Sequence, residues 1–395
     1  MKILVLQDQL RSGGTERQSV LLAAAFAAAG HPTTLATFRP GGALAATVAP
    51  AVVRHTFQPF DTGVNWFAPG LDRFAVVFRP EVILCMGRMA NCHAGRLQRR
   101  LPGTTVFATM RTGKGLPWLY RRSLRLVRHI VANSHEAARL LVSKYGVPSA
   151  TVTVIHNAMV FPPDWDMGGV PSPRDETAAP SPREAGSATR PTGDPPEPAE
   201  GRDALRAQHA ATPATVVLLC VAMFRPEKNH RALLELAARL PRALDWQLWL
   251  VGEGGTQLAC AALARRLGLA DRVKFLGFQA DPMPLYRAAD LAVLASLSES
   301  LPNFLLEAQA HGLPVVAGDV GGVRECFLPG ATGWAVPPGD TDAFLAALAP
   351  LLADPARRAA AGHAARTFAR EAFSPVRQTE RYLDLFARLT SGPSD

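Results

Sequence analysis

The sequence predicts an α/β protein built from two doubly wound parallel sheets that face a central cleft. Three observations lead there. Short, continuously apolar runs recur along the chain, helical stretches separate them, and the pattern stops at a proline-rich segment and then begins again. Apolar strands joined by helical crossovers are the mark of a parallel sheet covered on both faces. A chain of 395 residues is also too long for one ordinary core, so two domains are the natural division.

Taken in order, KILVLQ (Lys2–Gln7) reads as a buried strand, followed by a glycine-bearing turn and a helical pattern from Glu16 to about Ala29. Further strands are expected at Thr33–Phe38, Glu81–Met86, Thr104–Met110, Arg128–Ser134 and Thr151–Asn157. The segment Pro171–Glu200 then contains eight prolines and no Leu, Ile, Val, Phe, Tyr or Trp. It has nothing to bury against the entropy of ordering and is expected to be disordered. Strands resume at Thr215–Ala222, Trp246–Gly252, Arg272–Gly277, Leu291–Ser296, Leu313–Gly318 and Gly333–Pro337. The expected division is a first Rossmann-like domain over 1–165, a linker over 166–204 and a second domain over 205–373. The last helical stretch, about 374–391, is a candidate to cross back to the first domain.

The formal charge of +9 and pI near 9.8 suit an anionic partner: a phosphorylated substrate, an anionic lipid surface or nucleic acid. Arginines concentrate in GRLQRRL (Gly95–Leu101) and YRRSLRLVRHI (Tyr120–Ile130), either a solvated helix face or a contact with a membrane surface or acidic acceptor. No RNP, zinc-finger or helix-turn-helix signature is present, which argues against nucleic acid. The five cysteines are odd in number and form no CxxC pair, so reduced core thiols are expected, with neither a disulfide frame nor a zinc site. No run approaches the ~18–20 apolar residues of a membrane span. The expected location is cytoplasmic, or peripheral at the inner membrane surface.

The segment SLSESLPNFLLEAQAHGLP (Ser296–Pro314) carries the most chemistry. A strand leads into a helix with Pro302 suited to its first position and Gly312 to its stop. Backbone amides at that helix start, from Leu301, Asn303, Phe304 and Leu305, offer an anion seat at the positive end of the helix dipole. Glu299 in the loop and Glu307 inside the helix would repel a phosphate. Each is therefore expected to accept hydrogen bonds from a vicinal diol flanking it, on a ribose or a hexose. The phosphates need cations, and VAMFRPEKNH (Val221–His230) supplies Arg225 and Lys228 just after a strand. Near the N-terminus, RSGGTERQ places Gly13 and Gly14 between the first strand and first helix, where backbone can approach a ligand closely. The spacing is not the GxGxxG of a dinucleotide site. His93 reads as structural, His156 as packing in the strand that feeds the domain boundary.

Together these residues resemble the retaining glycosyltransferases of the GT-B fold, family four. The resemblance covers nearly the whole chain outside the proline-rich segment. It is most specific at the E-x7-E pair Glu299 and Glu307, and at Asp319, Gly321, Gly322 and Glu325 of PVVAGDVGGVRECFLPGATGWAVPPGD. LVGEG, VKFLGF, VANS and VIHNA also match. The resemblance implies a nucleotide-diphosphate sugar as substrate, a glycan or lipid-linked hydroxyl acceptor, no cofactor and no metal. Glu307 would hold the ribose and Glu299 the donor sugar, while Arg225 and Lys228 stabilise the leaving diphosphate. It further implies retention of anomeric configuration. Three positions depart from the family pattern: Met223 stands where an arginine is usual, with Arg225 as its substitute. Pro302 replaces a glycine, and Met110 and Arg111 occupy the place of a histidine, making Arg111 a candidate to meet an anionic acceptor. A nucleotide-sugar epimerase or phosphorylase of the same fold, and a degenerate transferase acting as an assembly partner, are the alternatives.

Overall fold

A computed structural model of the chain describes residues 1–11, 13–113, 115–159, 161 and 198–390. In the first domain the strands are β1 (Ile3–Gln7), β2 (Thr33–Thr37), β3 (Val53–Thr56), β4 (Val82–Cys85), β5 (Thr105–Met110), β6 (His129–Ala132) and β7 (Val152–Val154). The second has β8 (Val216–Val221), β9 (Trp246–Val251), β10 (Val273–Phe275), β11 (Leu291–Leu294), β12 (Val315–Gly318) and β13 (Gly333–Val336). Among the described residues the two sheets run β3-β2-β1-β4-β5-β6-β7 and β10-β9-β8-β11-β12-β13, parallel throughout. In each, the strand order reverses at the first strand of the domain.

The crossovers are α1 (Gly14–Ala28), α2 (Leu71–Phe78), α3 (Arg88–Arg100), α4 (Trp118–Leu124) and α5 (His135–Tyr145) in the first domain. The second domain follows with α6 (Pro198–Gln208), α7 (His230–Ala237), α8 (Gln257–Arg266), α9 (Met283–Ala288), α10 (Asn303–Ala310), α11 (Thr341–Ala353) and α12 (Pro355–Ala372). The terminal helix α13 (Pro375–Thr390) does return to the first domain. Its Tyr382, Leu385 and Phe386 are fully buried with Leu22 and Phe26 of α1 and Phe107 of β5.

Two sequence expectations need correction. The strand β3 was not foreseen, because VRHT is a half-exposed sheet edge with no apolar run to mark it. The expected linker ends too late: residues 166–197 lie outside the described residues, but from Pro198 the chain is already in α6. That helix rests a single leucine, Leu205, on the core and is fixed further by arginines. Arg206, buried, donates to Asp290 at 3.1 Å and to the Ala288 carbonyl at 2.8 Å, while Arg202 reaches Asp290 at 2.8 Å. Four of the cysteines are buried and Cys92 is half-buried, all as free thiols. Among the described residues, no helix is long and apolar enough to cross a membrane.

Candidate active site

The loops that follow β1, β8 and β11 converge on one cleft, beside the strands at which each sheet reverses its order. Open α/β sheets bind ligands at such switch points. The cleft holds a cavity of about 760 Å³, lined by Gly13, Gly14, Arg225, Lys228, Glu299, Leu301, Asn303, Phe304 and Glu307. These nine residues, all expected from the sequence, are thus brought to one place. The lining also contains Arg11, Glu16, Arg17, Arg111, Glu227 and Glu253, so bases and acids balance. What an anionic ligand meets then depends on which charges are already paired.

In the second domain the pairing is between side chains. Lys228, at the end of a 3-10 turn over Pro226–Lys228, donates through Nζ to Glu299 Oε1 at 2.6 Å. Only 8% of the Glu299 side chain is exposed, against 25% for Lys228. One of the three ammonium donors is committed, and the others remain available to a ligand. Arg225 stands exposed in the cleft with no ion-pair partner among the described residues. The loop bearing Glu299 is fixed from behind by Gly321 and Gly322. The Gly322 amide donates to the Ser300 carbonyl at 3.0 Å. At Gly321, φ is +56°, and a Cβ there would sit 1.9 Å from the Glu299 carbonyl oxygen. A left-handed conformation and a backbone in contact together admit only glycine.

Glu307 projects from the second turn of α10, and its Oε2 accepts a short hydrogen bond from the Tyr286 hydroxyl of α9. Burial pushes its carboxyl up, and the Tyr286 bond and the Arg17 guanidinium pull it back. Tyr286 is in turn stacked on His311, 4.9 Å between ring centroids. Helix α10 starts at Asn303, so the amides of Asn303 and Phe304 have no intrahelical acceptor. Leu305 is different from the expectation: its amide closes a tight turn on the Pro302 carbonyl at 3.0 Å and is not open.

The first domain meets this face at Gly14. Asn303 Nδ2 donates to the Gly14 carbonyl at 3.3 Å, and a Cβ on Gly14 would lie 2.7 Å from that same nitrogen. Asn303 Oδ1 accepts from Asn157 Nδ2 at 2.5 Å, and Asn157 Oδ1 accepts from Arg111 at 2.6 Å. Arg111 also donates to the Tyr382 hydroxyl at 2.6 Å. Arg111 is therefore a strut between α13, Asn157 and the α10 start as well as a lining residue. His156 is not simply packing, because its Nε2 lies 2.9 Å from Glu325 of the opposite domain. His93 fits its structural reading, bonding the Trp66 carbonyl at 3.2 Å.

Tyr286, Glu16 and Arg17 escaped the sequence reading. Tyr286 sits in PMPLYRAAD, a stretch with no signature, and only the packing of α9 against α10 brings its hydroxyl to Glu307. Asn157 had a signal, since it lies within the VIHNA segment.

Residues 201–368 match the family model "Glycosyl transferases group 1", and residues 12–159 match "Glycosyltransferase Family 4". Among curated proteins, the chain is 36% identical over 182 residues to the lipopolysaccharide core biosynthesis glycosyltransferase LpsE of Rhizobium meliloti, covering 45% of this chain and 51% of that one. It is 34% identical over 252 residues to a D-inositol 3-phosphate glycosyltransferase of Kribbella flavida, covering 60% and 51%. The matches therefore span about half the length of these relatives. Among solved structures, Anabaena Alr3699/HepE in complex with UDP-glucose superposes with a TM-score of 0.76 at 21% identity, over 98% of this chain and 100% of that one. A glycosyltransferase from Rickettsia africae gives 0.77 at 17% identity, over 99% of each chain. At these identities the likeness is one of fold.

Proposed function

We propose, from the premise that this chain belongs to the family-four glycosyltransferases of the GT-B fold, that it transfers a sugar from a nucleotide-diphosphate donor to a hydroxyl acceptor. The transfer keeps the anomeric configuration and serves glycan or glycoconjugate synthesis. The observation that carries this reading is the convergence of Arg225, the Lys228–Glu299 pair and the open start of α10 on one cavity.

The diphosphate lies against the amides of Asn303 and Phe304, with Arg225 and Lys228 on its other side. As the bond from the anomeric carbon to the diphosphate oxygen breaks, negative charge grows on the leaving group, where fixed cations and amides stabilise it. The acceptor hydroxyl forms the new carbon–oxygen bond on the face the diphosphate vacates, and its proton passes to the departing phosphate oxygen. Glu307 accepts from the ribose hydroxyls and Glu299 from those of the transferred sugar. This division of roles rests on the resemblance, supported by the separation of the two acids along α10 and its loop. No protein nucleophile is required.

The acceptor side is the first domain, and a lipid-linked acceptor fits its surface. Trp118 and Leu119 of α4 are exposed by 64% and 54%, with Arg122 over the Trp118 ring. An apolar tip among arginines suits peripheral contact with an anionic membrane.

A thermal-shift panel of UDP, GDP, ADP and TDP sugars tests the reading. One nucleotide class should raise Tm at saturation, and incubation with an acceptor should give a product of unchanged anomeric configuration by NMR. No stabilisation by any of the four, or an inverted product, would overturn it.

A further inference from the structure

We propose that His135, His156 and Glu325 form a binding site for a zinc-like divalent transition metal that clamps the second domain onto the first. One ring nitrogen of each histidine and one carboxylate oxygen of Glu325 lie within 4.8 Å of one another. The pieces come from three places. His135 opens α5, His156 follows β7, and Glu325 sits in a 3-10 turn over Val323–Cys326 of the second domain. Two imidazoles and a carboxylate are a borderline-soft set that suits Zn²⁺, with a fourth position left to water.

Local geometry already approaches what the metal needs. His156 Nε2 and Glu325 Oε2 are 2.9 Å apart, and the two imidazole centroids are 5.5 Å apart. Tetrahedral Zn²⁺ with ligand bonds of ~2.0–2.1 Å sets its ligands ~3.3 Å from one another. His156 and Glu325 need to part by only a few tenths of an ångström, and the exposed His135 ring, whose nitrogen lies within 4.8 Å of the other two ligand atoms, closes the remaining gap by turning about its side-chain bonds. The proton now shared between Nε2 and Glu325 passes to Nδ1 or, from an imidazolium, to solvent. Glu325 is held in place by the amides of His135 at 2.7 Å and Glu136 at 3.0 Å, so its carboxylate is oriented before any ion arrives. Those bonds also hold the opposing domain against the α5 N-terminus. His135, by contrast, is exposed and its ring has no hydrogen-bond partner among the described residues, which gives the ion a route in.

The consequence reaches the cleft. The Glu325 turn begins at Gly321 and Gly322, which brace the Glu299 loop, and Ser300 Oγ of that loop donates to Asn133 of the first domain at 2.6 Å. A bound ion would fix the spacing of the domains beside the catalytic loop without touching the reaction. This site stands apart from the transfer reading, and either can fail alone.

The test is titration of the untagged full-length protein with ZnCl₂ by calorimetry, and with CoCl₂ by visible absorption. One ion per chain and the d–d bands of tetrahedral Co²⁺ are expected, with a rise in Tm. His135→Ala and His156→Ala should each weaken binding by more than the ~10–100-fold typical of losing an outer partner. Glu325→Gln, which keeps an oxygen for the α5 amides, should also weaken it. Cys92→Ser, removing the half-buried thiol, should change nothing. Absence of binding, or affinity unchanged in both histidine variants, overturns the site. Full affinity in Glu325→Gln overturns the bridge between domains.

Discussion

The two domains share a sheet topology but hold the acids beyond their strand ends in different ways. In the first domain Asp8 satisfies backbone. Asp8, just after β1, accepts from the amides of Met89 and Ala90 at the start of α3, and Glu16 sits over Gly13 at the start of α1. The α3 start is thus closed by the protein itself. In the second domain the acids are bonded to side chains, Glu299 to Lys228 and Glu307 to Tyr286, and the start of α10 is left open. A side-chain partner can be exchanged for a ligand hydroxyl or phosphate, whereas removing a buried cap strands several amides. The comparison teaches that a carboxylate in a cleft is a candidate for ligand binding according to what it already holds.

Substitution breaks this contrast most strongly at Lys228. Lys228→Ala should lower kcat by about 10²–10³-fold, the scale of losing one charge-stabilising donor, while Tm stays near that of the parent. Steady-state kinetics beside a melting curve would check it, and a collapse in Tm would move Lys228 from the chemistry to the fold. Next comes Glu307→Ala, which removes charged hydrogen bonds of about 1.5–3 kcal/mol and should raise the donor Kd about tenfold to a hundredfold. Its counterpart in the first domain, Asp8→Ala, should instead lower Tm and leave the donor Kd within about twofold, because only the α3 cap is lost. Calorimetry of both variants with one donor decides the matter. Equal effects on binding would erase the distinction between the domains.

Acid gives the smallest and sharpest discriminator. Burial lowers His230 and His311 of the second domain to about 4 from the ordinary value near 6.5. The unfolded chain therefore binds those protons first, so this stability is present above pH 6.5 and is lost as pH falls toward 4. Asp8 of the first domain is raised by burial from 3.8 to about 6. There the native state binds the proton first, and stability is gained as pH falls from 6 toward 3.8. Each group contributes at most about 1.4 kcal/mol per pH unit. Hydrogen exchange across pH 6.5 to 4 should show protection falling in β8–β12 before β1–β5. Uniform loss would count against the assignment.

Much of this was legible in the chain. Apart from β3, the strands of both sheets follow from continuous apolar runs, and Glu299, Glu307, Arg225 and Lys228 stand out because charged residues interrupt segments otherwise fit for a core. The rest stayed hidden. The α6 start anchored by Arg202 and Arg206, the Tyr286–Glu307 bond and the role of His156 all depend on polar contacts between separate elements, and β3 on edge pairing without an apolar run. Arg111 looked like a group for an acceptor, and the fold turns out to hold its two terminal nitrogens on Asn157 and Tyr382.

The sequence by itself determined the two parallel sheets, the break between them and the residue types that would line a cleft, because periodicity and local chain chemistry are written in neighbouring positions. Only the tertiary structure decided which charges are paired and which are free, and that Glu325 and Asn303 reach across to the first domain. Those are distances of a few ångströms between residues 71 positions apart for Lys228 and Glu299 and more than a hundred apart across the domains, and no local pattern encodes them.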